Sequence, residues 1–220
     1  MRMFNCICKY TASLLLLVLS ATAHSEDSVV NTMNPYDMVE AVANNTFARF
    51  HQDIDIIKAN PDHLKLIVSD ELMPYIDYKY ASYKVMGTHL KATTKEQRQR
   101  FVIAFQGYLV STYAQAFTEY TDQKVRFSPG KDFTGEKMVD VNVELIEAGR
   151  PAIKLMFKVR RLKDGSWKAF DLVAEGVSLL ASKSSEISNL IRQKGIESVI
   201  LELEQRNKGH VSQKSNGVKL

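Results

Sequence analysis

Cysteine is nearly absent: the 220-residue chain holds two, Cys6 and Cys8, both at its extreme N-terminus. Beyond position 8 nothing can form a disulfide, a thiolate nucleophile or a cysteine metal ligand. Histidine is sparse as well. His24, His51, His63, His89 and His210 fall at no metal-ligand spacing, and no H-E-x-x-H occurs. No glycine-rich phosphate loop is present. Ser178 lies in Glu175-Gly176-Val177-Ser178-Leu179, which is not the G-x-S-x-G elbow of serine hydrolases, and a helix-cap role suits it better. A strong charge of one sign is missing too, with 29 basic against 25 acidic residues. These absences argue against metal-dependent hydrolysis, nucleotide binding, Ser/Cys nucleophilic catalysis and nucleic-acid binding.

Long apolar runs are equally scarce, and the one that stands out reads as a leader. Arg2 and Lys9 precede Thr11 to Ser20 (TASLLLLVLS), and Ala21-Thr22-Ala23 supplies a small-x-small cleavage pattern. The run is shorter than the roughly 20 residues a permanent membrane helix needs. No Leu-x-x-Cys lipobox follows it. Residues 1–23 are therefore predicted to be a signal peptide, giving an exported protein that starts at His24 and has no permanent membrane anchor. Removing the leader takes both cysteines and two positive charges, so the formal charge falls from +4 to +2 over 197 residues. That length suits a single domain with an ordinary hydrophobic core, predicted over 24–207.

The first half of the domain has helical spacing. Asn34-Pro35 is a cap followed by proline at the first helical position, and Asn60-Pro61 repeats the signal. Pro74 opens a third segment, Tyr75 to Met86, closed by Gly87. Thr93-x-x-Glu96 reads as a capping box before a long helix running to about Tyr120. The period then switches to two. Val139, Val141, Val143 and Leu145 alternate with Asp140, Asn142 and Glu144; Ile153, Leu155, Phe157 and Val159 alternate with Lys154, Met156, Lys158 and Arg160. The outward faces carry opposite charge, which favours an antiparallel hairpin. Asp164-Gly165 marks a second hairpin turn before a strand from Trp167, and a weaker strand is expected at Val125 to Ser128. Helices return from Ser178 to Lys194 and from Ile196 to about Asn207, broken at Gly195.

The expected fold class is thus α+β: a curved, cone-like antiparallel sheet of about four strands, wrapped by helices. The helical part spans 34–120, the sheet 122–175 and the C-terminal helices 178–207; residues 208–220 are expected to form a flexible polar tail.

Asp171 and Glu175 are the one pair of acids in the apolar stretch from Trp167 to Leu180. Two carboxylates facing one cleft are the minimum for glycosidase-type acid/base work, and a base at such a corner would serve an isomerase. The same two acids also suit capping of backbone amides. Around them the apolar surplus, including Tyr75, Ile76, Tyr113, Phe117, Trp167 and Leu172, fits a filled core or a hollow one. Three readings stay open: a carrier of apolar ligand, a periplasmic adaptor with a solid core and no ligand, and a hydrolase or isomerase using Asp171 and Glu175.

Ordered short motifs carry a resemblance. They are Asn34-Pro35-Tyr36, Ala59-Asn60-Pro61-Asp62, Glu71-Leu72-Met73-Pro74-Tyr75-Ile76, Lys79-Tyr80-Ala81, Val85-Met86-Gly87, Phe101 to Tyr113, Asp171 to Ser178 and Arg192-Gln193-Lys194-Gly195-Ile196. In their order and spacing the chain resembles the MlaC, or toluene-tolerance, family of periplasmic phospholipid-binding proteins over roughly Asn34 to Leu203. Phe170 departs from the tyrosine usual in the family at that place. The resemblance implies a periplasmic carrier with no catalytic residues, no metal and no cofactor, phospholipid being its cargo. It implies exchange with an outer-membrane lipoprotein–porin complex and an inner-membrane ABC transporter complex, in support of outer-membrane lipid asymmetry, by an expected monomer. On that reading Val141, Val143, Leu145, Ile153, Leu155 and Phe157 form the sheet wall of the lipid pocket. Tyr80, Phe101, Phe105, Leu109, Leu172 and Val173 form its helix side and mouth. Arg150 and Lys154 are candidates for head-group or partner contact, and Val177 for docking.

Overall fold

A computed structural model describes residues 30–119, 123–147 and 149–212. The predicted signal peptide lies outside the described residues. Six α-helices and five strands follow in order: α1 Pro35–Gln52, α2 Ile54–Ala59, α3 His63–Ile67, α4 Tyr78–Met86, α5 Lys95–Phe117, β1 Lys124–Phe127, β2 Met138–Ile146, β3 Ile153–Arg161, β4 Trp167–Ala174, β5 Val177–Ser178 and α6 Leu179–Asn207.

Local chemistry accounts for most boundaries. Asn34 caps α1 by accepting from the Tyr36 and Asp37 amides, with Pro35 at the first helical position. Asp77 caps α4, and Gly87 ends it at φ +52°, a conformation that suits glycine. A capping box does start α5, but one residue later than the expected pair: Thr94 and Gln97 exchange the bonds, while Thr93 turns its hydroxyl to the Leu90 carbonyl. Ser178 caps α6 through the Ala181 amide, and the break expected at Gly195 appears as a kink with φ 78°. Asn60 does not open a helix. It ends α2, and its side chain accepts from the Asp62 amide one turn before α3.

The sheet is an antiparallel meander in the order β1-β2-β3-β4-β5. Its central register pairs Val143 with Leu155 and Val141 with Phe157 on the inner face, and Asp140 with Lys158 and Glu144 with Lys154 on the outer. Five strands replace the expected four because the corner after β4 is a hairpin and not a direct passage into helix. Glu175 (φ 48°) and Gly176 (φ 82°) both take the left-handed conformation of a two-residue primed turn, which folds β5 back onto β4. A register shift opposite Lys158/Val159 inserts Phe170 as an extra residue in β4.

The described core is three clusters. The first joins α4, α5 and α6 around Met86, Phe101, Phe105 and Ile200. The second gathers Phe50, Leu64, Ile67, Val68 and Ala114. The third packs Met38, Val39 and Val42 of α1 on Val141, Val159 and Trp167 of the sheet. Residues 208–212 correct the expected loose tail. Val211 is buried in the second cluster, and its amide and the His210 ring both bond the Asp62 carboxylate, at 2.8 and 2.5 Å.

Candidate functional site

Two cavities lie where these clusters leave space. The first, about 290 Å³, sits between the second half of α5, the end of β4 and the start of α6. Phe105, Leu109 and Leu180 form apolar wall, whereas Tyr108, Thr112, Ser182, Lys183 and Glu186 bring polar groups to one side. The second, about 210 Å³, lies between α1, α5 and the inner face of β1–β4. Ala43, Phe47, Phe117, Phe127, Val143 and Leu145 line it, together with Leu155, Phe157 and Leu172. Ile76, Tyr113, Phe170, Asp171 and Leu172 belong to both linings, so the cavities meet at a common wall.

Alternation along the strands explains the sheet side. Val143 and Leu145 of β2 and Leu155 and Phe157 of β3 point to one face, and the side chains between them are the outward charges. The extra residue in β4 puts Ala169 and Phe170, neighbours in sequence, on the same lining.

Of the expected pocket residues, Phe105, Leu109, Val143, Leu145, Leu155, Phe157 and Leu172 line one or both cavities. Five do not. Phe101 is fully buried, stacked on Phe105 against α6 at the filled end of α5. Val141 faces inward, but α1 covers it. Val173 is buried on the opposite side of β4 from Leu172. Ile153 begins β3 beyond the cavity and is 46% exposed. Tyr80 packs edge-on against Phe170 from outside the lining, with the Arg160 guanidinium over its ring at 4.4 Å. Arg150 pairs with Glu147 in the exposed hairpin end, and neither it nor Lys154 lines a cavity. Val177 is 56% exposed on β5, beside Leu179 at the rim of the first cavity.

The corner carboxylates are both engaged. Asp171 accepts from the Ser178 hydroxyl (2.7 Å) and the Leu180 amide (3.0 Å), holding the start of α6 against β4. Glu175 accepts from the Lys154 amide at 2.5 Å and ties the β4–β5 turn to β3. Each acid satisfies backbone or hydroxyl donors of its own neighbourhood, as in the scaffolding alternative raised by the sequence.

Electrostatics divide the site. Lys183 lies over the Tyr108 ring at 4.7 Å and pairs with Glu186. Partial burial works against its charge, but the hydrogen bonds it donates to Glu186 and Tyr108 outweigh it and raise the ammonium pKa. The first cavity thus has a Lys183–Glu186 ion pair at its polar side. Tyr113 is the reverse case: burial, helped by the Asp171 charge, pushes its hydroxyl up to about 12. Among the described residues no group of three or more His, Cys, Asp and Glu is placed to hold a metal, and no helix is long and apolar enough to cross a membrane.

Sequence reasoning missed Phe47, Ile76, Tyr108, Phe127 and Phe170 as lining residues. Sequence pattern shows that these residues are apolar or aromatic but not which of them looks into a void.

The model of the MlaC protein family matches residues 40–205. The chain belongs to the MlaC family. It is 32% identical over 195 residues to the Haemophilus influenzae intermembrane phospholipid transport system binding protein MlaC, covering 88% of this chain and 91% of that one. It also shares its fold with a phospholipid-binding protein of Ralstonia solanacearum solved in complex with a phospholipid. There the TM-score is 0.71 at 22% identity, over 79% of this chain and 97% of the other. The MlaC match takes in every residue lining the two cavities.

Proposed function

We propose that the protein is a periplasmic phospholipid carrier. Acyl tails occupy the two joined cavities, and the head group stays at the polar side of the first, near Lys183. The observation that carries this reading is the size and greasiness of the voids. Left dry, cavities of about 290 and 210 Å³ would cost on the order of 10 kcal/mol at ~24 cal/mol per Å³. That equals the whole stability of an ordinary domain. Ordered water needs two to four polar partners. The second cavity offers few, since the Thr46 hydroxyl already bonds the Val42 carbonyl at 2.7 Å. An apolar guest fills that space and takes its apolar lining out of water.

Acyl chains suit it. Exposing the ~30 methylenes of a diacyl lipid to water costs more than about 20 kcal/mol at ~0.8 kcal/mol each, so a carrier must enclose the tails. Exchange between bilayer and pocket trades one apolar medium for another and is close to neutral. Direction then comes from partners, which we take to be an outer-membrane lipoprotein–porin complex and an inner-membrane ABC transporter complex. The name of the Haemophilus relative and the phospholipid bound by the Ralstonia protein support the reading.

The test is to purify the exported protein without detergent, denature it, extract it and identify lipid by mass spectrometry. One phospholipid or more per chain is expected. Protein that is consistently empty, and that takes up none from vesicles, would overturn the carrier reading in favour of an adaptor.

A further inference from the structure

The wall common to both cavities contains Ile76, Tyr113, Phe170, Asp171 and Leu172. Three of these side chains have no hydrogen-bonding group. Asp171 can only accept, and both its oxygens are taken by Ser178 and Leu180. The Tyr113 hydroxyl is therefore the one side-chain donor at the junction, and no hydrogen-bond partner for it exists among the described residues. It lies on the side of Asp171 and Tyr108, both of which act on it electrostatically, and with its pKa near 12 it keeps its proton throughout the physiological range. Tyr113 is only partly buried and lines the accessible space of both cavities, so an acceptor on a bound ligand can reach the hydroxyl.

We propose that Tyr113 donates a hydrogen bond to an ester carbonyl of the bound lipid, marking the junction as the place where glycerol backbone gives way to acyl tail. This rests on the carrier reading above. Tails have no acceptor to offer. The phosphate is the other candidate, but the Asp171 carboxylate disfavours an anion at the junction, and the cation lining the first cavity, Lys183 in its pair with Glu186, lies on the polar side. Ester carbonyls lie between these parts of the lipid and carry no net charge. The same arrangement orients the cargo, with head toward Lys183 and tails past Phe170 into the second cavity.

The experiment offers delipidated protein vesicles containing equal amounts of ester-linked and ether-linked phosphatidylglycerol of the same chain length, and counts each in the complex by mass spectrometry. An ether oxygen is the poorer acceptor, so wild-type protein should favour the ester lipid by about 5–10-fold, the worth of one hydrogen bond. Tyr113→Phe should bring the ratio close to one by lowering uptake of the ester lipid. Tyr113→Met serves in its place should the first variant not fold. A wild-type ratio of one, or a variant that keeps the wild-type preference, overturns the proposal while lipid uptake still stands. Wild-type protein that takes up neither lipid overturns the carrier reading and this one with it.

Discussion

The two halves of α5 have much the same apolar character and opposite surroundings. In the first half, Phe101 and Ala104 are at most 2% exposed and interlock with Val199, Ile200 and Leu203 of α6. In the second, Leu109 and Tyr113 face space. The hinge between these environments is visible at Gly107. A Cβ there would collide with the Asn207 side chain, whose amide donates to the Ala104 carbonyl at 2.9 Å. This contact draws the end of α6 against the middle of α5 and seals the filled half. Past it, Asp171 and Ser178 fix the other end of α6 on the sheet, and the first cavity opens beside the contact of Lys183 with Tyr108. A pocket here is an apolar face whose partner is held at a distance by polar fastenings.

The comparison predicts unequal responses to substitution. Phe101→Ala, at the filled end, should lose about 3–5 kcal/mol of stability, a fall in Tm on the order of 10 °C, with lipid per folded chain unchanged. Lipid loss without a stability loss in that variant would break the distinction. Leu155→Asp, at the hollow end, should reverse the pattern. Its charge can hydrate in the void, so destabilisation stays near 1–2 kcal/mol, while retained lipid falls by about tenfold or more, read by native mass spectrometry. Unchanged lipid in folded Leu155→Asp would remove the β3 wall from the site.

The smallest effect concerns the second cluster, which backs the hollow half and includes Val211. The Val211 amide, then His210 and Lys65, hold the Asp62 carboxyl well below the usual carboxylate range. A depressed carboxylate adds stability that is present above its ordinary pKa of about 3.9 and is lost as pH falls through the folded value. Asp62→Ala should therefore cost at most about 1 kcal/mol at neutral pH, given the exposure of the pair, and progressively less in acid. Faster amide exchange at Val211 is the local readout. A cost independent of pH would show packing alone at work.

Much of this fold was legible in the chain. Period-two alternation in β2 and β3 needs only neighbouring residues, and the observed register follows from it. Caps at Asn34 and Ser178 and the break at Gly195 are equally local. Thr93 and Thr94 are chemically alike, so choosing between them required knowing which one turned back to Leu90. Residue type hardly separates Val141 from Val143: both point inward on one strand, and only the reach of α1 decides which is covered. Phe170 entered the lining through a bulge that exists only because β3 and β4 fall out of step.

The sequence by itself determined an α+β order of elements, an inward apolar face on each central strand and the absence of cysteine beyond position 8. It also pointed away from the chemistry that cysteine, clustered histidine or a phosphate loop would bring. Tertiary structure alone decided that the inward faces of the sheet and α5 do not close on one another, and that Tyr113 stands without a partner where the two voids meet. The reason is physical: hydrophobic pattern specifies which side of an element leaves water, whereas a cavity depends on the distance between elements, set here by contacts as remote as Asn207 with Ala104 and Asp171 with Ser178.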